Sequence, residues 1–129
     1  MDNFKVMVVD DELDFLETII KRLKARKIEV TGAESGEKAL EVLAAQDIDV
    51  IVLDVKMPGM DGIETLREIK KRKPLTEVIM LTGHASVESG IQGMQLGAFD
   101  YVMKPVALDE LLEKMRQAYE RKLIQEGKA

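Results

Sequence analysis

The sequence predicts an α/β domain: a five-stranded parallel sheet, doubly wound, with helices on both faces. Three observations carry this. Short apolar runs alternate with amphipathic stretches five times along the chain, which is the pattern of strand–helix units joined by crossovers. The connections are short, so successive units lie side by side. The third run, Val50-Ile51-Val52-Leu53, is apolar without interruption, as suits a central strand covered on both faces. A length of 129 residues fits one domain that buries about two-thirds of its extended surface on folding. Residues 1–126 are expected to form that domain and residues 127–129 a frayed tail.

The first strand is Phe4-Lys5-Val6-Met7-Val8-Val9 and ends in Asp10-Asp11. Leu16, Ile19, Ile20 and Leu23 then recur at helical spacing on one face. Ile28 to Ala33 is a weaker strand, and Gly36 to Ala45 a helix with Ala39, Val42 and Leu43 on one side. The third strand stops at Asp54. Met57-Pro58-Gly59-Met60-Asp61-Gly62 is turn chemistry, and Asp61 with Glu64 three residues on forms a capping-box pattern. The next helix carries Ile63, Leu66 and Ile69 and leaves through the basic run Lys70 to Lys73, which suits the negative end of the helix dipole.

Val78 to Leu81 is the fourth strand, ending at Thr82-Gly83. Ser86 to Leu96 is the fourth helix, with Gly90 and Gly93 inside it. These glycines weaken that helix by about 2 kcal/mol, predicting the most mobile helix of the fold, or else they permit close packing on a neighbour. Phe99 to Met103 is the fifth strand, ending at Lys104-Pro105. The last helix runs from about Leu108 to Ile124, with Leu111, Leu112, Met115, Ala118 and Tyr119 as its apolar stripe. Ala107 stands at its N-cap, where a polar residue would contribute about 1 kcal/mol. Five units with right-handed crossovers leave few topologies, and the flavodoxin-like strand order 2-1-3-4-5 is expected.

The residues just past the strands are the informative ones. Ligands of an open parallel sheet bind outside the carboxyl ends of the strands. There Asp10 and Asp11, Asp54, Thr82 and Lys104 would meet. Three carboxylates about 4 Å apart repel by up to about 4 kcal/mol per pair at an effective dielectric near 20. A hard divalent cation relieves this, and Mg²⁺ binds through one or two carboxylates, waters and a phosphoryl group. Lys104 and Thr82 then complement an anion. Asp54, ending the most central strand, is the candidate nucleophile for an aspartyl phosphate. Catalysis of such a transfer is mostly positioning and charge neutralisation.

Composition excludes several other classes. There is no Cys, hence no disulfide, Cys-ligated zinc or thiol catalysis. One His excludes a multi-histidine metal site within one chain. A net charge of −5 argues against direct nucleic-acid binding by this segment. No apolar run reaches a membrane span and no secretion signal opens the chain, so a cytoplasmic location is expected.

The chain resembles the receiver domain of two-component response regulators. The resemblance rests on Val8-Val9-Asp10-Asp11-Glu12, then Val52-Leu53-Asp54-Val55-Lys56-Met57-Pro58-Gly59-Met60-Asp61-Gly62. It continues in Met80-Leu81-Thr82-Gly83-His84 and in Gly97-Ala98-Phe99-Asp100-Tyr101-Val102-Met103-Lys104-Pro105. Four motifs in order with matching spacing cover nearly the whole chain. The stretches Ala85-Ser86-Val87-Glu88 and Gly97 to Tyr101 resemble receivers of enhancer-binding transcription regulators.

The resemblance implies a set of roles. Asp54 accepts phosphate from a phosphohistidine on a sensor kinase or phosphotransfer protein. Asp11 and Asp54 ligate Mg²⁺ by side chain, Lys56 by its backbone carbonyl, and Asp10 through a water. Lys104 pairs with Asp54 when free and with the phosphoryl group afterward. Thr82 moves inward to the phosphoryl group, and Tyr101 is the switch aromatic. The Lys104–Pro105 bond is cis. Lys56 and His84, each two residues past a site residue, overhang the acyl phosphate and tune its lifetime. The signal leaves through the fourth helix, fifth strand and fifth helix, a face that also offers a homodimer contact. On this reading the chain is a phosphorylatable switch and not an enzyme.

Two other readings compete. A phosphatase-like enzyme with an aspartyl-phosphate intermediate wants a second acid two residues past the nucleophile, where Lys56 stands. A flavin or nucleotide binder wants a Gly-rich phosphate loop after the first strand, where Asp10-Asp11-Glu12 would repel phosphate.

Overall fold

The computed structural model describes residues 4–83 and 87–128. Strands and helices alternate as β1 (Lys5–Val9), α1 (Leu13–Ala25), β2 (Glu29–Ala33), α2 (Gly36–Ala45), β3 (Val50–Asp54), α3 (Gly62–Arg72), β4 (Glu77–Thr82), α4 (Val87–Gln95), β5 (Asp100–Met103) and α5 (Leu108–Gln125). The strands form one sheet in the order β2-β1-β3-β4-β5, and every pairing is parallel. Fold class and strand order are those the sequence predicts. Boundaries differ by a residue or so: β3 takes in Asp54, β4 runs from Glu77 through Thr82, and β5 begins at Asp100.

The unbroken apolar strands result from burial on both faces. Alternate residues go to opposite sides. Val6, Val8, Val50, Val52, Ile79 and Leu81 meet Leu16, Ile19, Leu23, Leu111 and Met115 of α1 and α5. Met7, Val9, Ile51, Leu53, Val78 and Met80 meet Leu40, Leu43, Leu66 and Ile69 of α2 and α3. α4 lies on this second side, where Gly93 approaches Met80 and Leu66.

Local chemistry sets the helix ends. The Asp61 side chain accepts from the Glu64 N–H at 2.9 Å, opening α3 as the capping pattern predicts. Gly62 is required just after it. A Cβ there would stand 2.7 Å from the Cα of Val55, so any side chain would push the β3–α3 turn, and Asp54 with it, out of place.

At the opposite edge of the sheet, α5 is held by charge. Glu77 is fully buried and accepts a two-pronged pair of hydrogen bonds from Arg121. Lys70 lies 3.7 Å from the same carboxylate, and the Arg121 guanidinium sits 4.8 Å above the Phe99 ring. Lys122 bridges Asp49 at 3.0 Å and Glu126 at 2.6 Å. The C-terminal half of α5 is thereby fastened to the end of the sheet remote from Asp54.

The start of α5 is the weak cap expected from sequence. Ala107 takes the extended N-cap conformation and offers no side-chain hydrogen bond. Ala107→Asp supplies that acceptor and adds charge at the positive helix end. It should raise the unfolding free energy by about 1 kcal/mol, read as a higher urea midpoint at unchanged slope.

Candidate functional site

Parallel strands bring their carboxyl ends to one rim. Asp10 comes directly after β1, Asp54 closes β3, Thr82 closes β4 and Lys104 comes directly after β5. Backbone hydrogen bonds fix this rim: Val55 N–H to Leu81 O at 3.1 Å, Lys104 N–H to Thr82 O at 2.7 Å, and Asp10 N–H to Ala33 O at 3.1 Å.

Asp10, Asp11 and Asp54 each bring a carboxylate oxygen to within 4.8 Å of the others. Asp10 is fully buried, Asp54 is 7% exposed and Asp11 faces solvent. Burial, then the charges of Asp10 and Asp11, push the Asp54 carboxyl from the usual 3.8 up to about 6, against the opposing pull of Lys104 and a hydrogen bond from the Lys56 N–H. An all-oxygen donor set of this kind fits a hard divalent cation. It is the one such cluster among the described residues.

Lys104 is the counter-charge: it pairs with Asp54, and it has two closer partners that the sequence does not assign to it. Its Nζ donates to Asp10 at 2.9 Å and to Glu12 at 3.1 Å, and stands 3.7 Å from Asp54. That last separation is an ion pair beyond hydrogen-bond reach. The reason is local. Asp10 is the more deeply buried acid and needs the charge most, while Glu12, at the N-cap of α1, hangs over the same ammonium. The Glu12 N–H also donates to Asp10 Oδ1 at 2.9 Å, and the Phe15 ring lies 4.8 Å under the ammonium. Burial opposes the Lys104 charge, yet the hydrogen bonds to Asp10 and Glu12 outweigh it, and its pKa is raised. Sequence reasoning misses Glu12 and Phe15 as Lys104 partners. Beside the acid pair, Glu12 reads only as another repelling charge.

Thr82 is 1% exposed, and its hydroxyl is turned to the Met103 sulfur at 3.5 Å. Tyr101 is 36% exposed on the neighbouring strand. The Lys104–Pro105 bond is cis. Lys56 lies exposed at the rim, whereas Met57 is buried in the core. His84 lies outside the described residues, as does Ser86, the expected start of the fourth helix.

An acid-rich rim with Lys104 as its counter-charge, on a sheet wound in this order, suits a phosphoacceptor signalling domain. Comparison with known proteins gives the family. The response regulator receiver domain family matches residues 6–116. The chain is 37% identical over 113 residues to the DNA-binding transcriptional regulator NtrC of Escherichia coli K12, covering 88% of this chain and 24% of that protein. It is 35% identical over 123 residues to the response regulator MprA of Mycolicibacterium vanbaalenii, covering 95% of this chain and 53% of that one. A response regulator receiver domain protein of Clostridium thermocellum superposes with a TM-score of 0.90 at 38% identity, covering 95% of this chain and 98% of that one. The chain belongs to the response regulator receiver family. It spans about a quarter of the length of the NtrC-type regulators it matches.

The raised Asp54 pKa has a stability consequence with a definite sign. The folded chain holds this proton up to about pH 6 and the unfolded chain only to about 3.8. The Asp54 charge therefore opposes folding fully above pH 6, and this burden is gone below about pH 4. In metal-free buffer at pH 7, Asp54→Asn should be more stable than wild type by on the order of 3 kcal/mol. Urea denaturation across pH 4–7 should show that advantage vanishing at the acid end.

Proposed function

We propose that this chain takes a phosphoryl group from a phosphohistidine of a sensor kinase or phosphotransfer protein onto Asp54. The observation that carries this is the Asp54 carboxylate, set among Asp10, Asp11 and Lys104 at the carboxyl rim of the sheet. An Asp54 oxygen attacks phosphorus and the P–N bond to imidazole breaks. The bond electrons return to the ring nitrogen, which takes a proton from solvent. The product is an acyl phosphate.

Asp11 and Asp54 would hold Mg²⁺ by side chain, Lys56 by its carbonyl, and Asp10 through a water. Bound Mg²⁺ supplies charge neutralisation for the transferred group. The chain's own residues do the rest. Asp54 must be ionised to attack. Lys104 leaves Asp10 and Glu12 and donates to a phosphoryl oxygen. Thr82 turns its hydroxyl from Met103 to the same group. Tyr101 then moves, and the face formed by α4, β5 and α5 changes shape. Ile91, Met94 and Tyr101 are exposed there, which suits a surface that meets an output partner or a second copy.

On this reading residues 1–126 act as a switch in the cytoplasm, assisting their own phosphorylation and dephosphorylation but turning over no other substrate. Output on DNA belongs to the longer regulators this chain resembles, not to this acidic segment. Among the described residues no helix is long and apolar enough to cross a membrane.

With acetyl phosphate or phosphoramidate and Mg²⁺, intact-mass measurement should register one added phosphoryl group on the wild type and none on Asp54→Ala. Sustained hydrolysis of a generic phosphate ester would instead favour the phosphatase reading. Lys56, exposed at the rim, is proposed with His84 to tune the lifetime of the acyl phosphate. The half-life in Lys56→Ala and in His84→Ala should depart from that of the wild type, and equal half-lives would remove this role.

A further inference from the structure

We propose that Gly90 is a positioning residue for the switch: the missing side chain on α4 is what lets Thr82 rest with its hydroxyl on the Met103 sulfur. The inference rests on the reading of Asp54 and Thr82 given above and assigns it a further residue.

The geometry is specific. A Cβ on Gly90 would stand 3.2 Å from the Thr82 methyl carbon, 3.7 Å from Tyr101 Cγ and 3.9 Å from Tyr101 Cδ2. Carbon atoms attract best at about 3.5–4.0 Å, so the contact with Thr82 would be compressed and those with Tyr101 ordinary. Gly90 is itself buried. An interior glycine weakens a helix, and here the position it occupies is the meeting point of both switch side chains.

Thr82 is wedged in the resting structure. Its hydroxyl is on Met103, and its methyl lies where a Gly90 Cβ would press on it. Turning the hydroxyl toward Asp54 is a rotation about χ1, and each alternative staggered position carries the methyl off its present spot. In either alternative that spot holds the hydroxyl or a hydrogen, both smaller than a methyl, so a Cβ at position 90 weighs most on the resting rotamer.

Gly93 provides the control. It lies one turn further along α4, and a Cβ there would meet Met80 Cγ at 3.2 Å, Met80 Cε at 3.6 Å and Leu66 Cδ2 at 3.7 Å, none of them a switch residue. Gly93→Ala raises helix propensity as Gly90→Ala does, without touching Thr82.

The test is the affinity for beryllofluoride, a phosphoryl mimic, at saturating Mg²⁺, measured by calorimetry. Gly90→Ala should bind about five-fold tighter than wild type, the lower end of what overpacking a buried site costs. Gly93→Ala should match wild type. In a Thr82→Ser background, which keeps the hydroxyl and removes the methyl, Gly90→Ala should have no effect. Equal or weaker binding by Gly90→Ala, the same gain from Gly93→Ala, or a gain that persists with Thr82→Ser overturns the proposal. Should Gly90→Ala fail to fold, the Thr82→Ser, Gly90→Ala pair should fold again; a pair that stays unfolded also overturns it. A wild-type chain that binds no beryllofluoride refutes the underlying reading of Asp54, and the inference falls with it.

Discussion

Like charges held together at one rim are the constraint on which the rest depends. Asp10, Asp11 and Asp54 do not choose their proximity. A parallel sheet delivers every strand's carboxyl end to the same side, and β1 and β3 are adjacent. The apolar strands keep the rim in place. Val6, Val8, Val50 and Val52 are locked to one layer of helices, and Met7, Val9, Ile51 and Leu53 to the other. Burial of the core therefore offsets the crowding of the acids. What remains is a carboxylate raised to about 6 and a lysine drawn in by three acids. Such a crowded acid site would be relieved by a positive charge.

The two ends of the sheet are treated in opposite ways. At the rim of Asp54, charge is unbalanced, and Thr82 rests on a weak contact with the Met103 sulfur. At the other end, Glu77 is buried but fully engaged by Arg121 and approached by Lys70. A buried carboxylate with hydrogen-bonded partners is fixed in position. This arrangement anchors the C-terminal half of α5 at the end of the sheet remote from Asp54. Lys114 of α5 also pairs with Asp100 at the start of β5, so the first half of α5 is joined to the strand that carries Tyr101.

Much of this is legible in the sequence because it depends on periodicity and on strand ends. The alternation of apolar runs sets element types, and the residues just past each run identify the rim. The Asp61 cap is readable from its spacing to Glu64. The features that escape depend on side chains far apart in sequence. Glu12 reads as one more acid after Asp11, and only the folded chain sets its carboxylate over Lys104, 92 residues away. Glu77 and Arg121 are 44 residues apart, and each alone reads as a solvated charge. The glycines of α4 are ambiguous in sequence between a weak helix and a close contact. The fold places Gly90 and Gly93 against Thr82 and Met80, which only the packing of α4 on β4 could decide.

A cluster of three carboxylates at one rim should be comfortable only around a cation. A ligand that binds the folded chain and not the unfolded one raises stability with the logarithm of its concentration. The most direct measurement is the thermal midpoint of the wild type as Mg²⁺ is raised at constant ionic strength and neutral pH. The midpoint should begin to climb once Mg²⁺ exceeds its dissociation constant, with the climb much reduced in Asp11→Asn. A midpoint indifferent to Mg²⁺, or one that rises equally in Asp11→Asn, would contradict it.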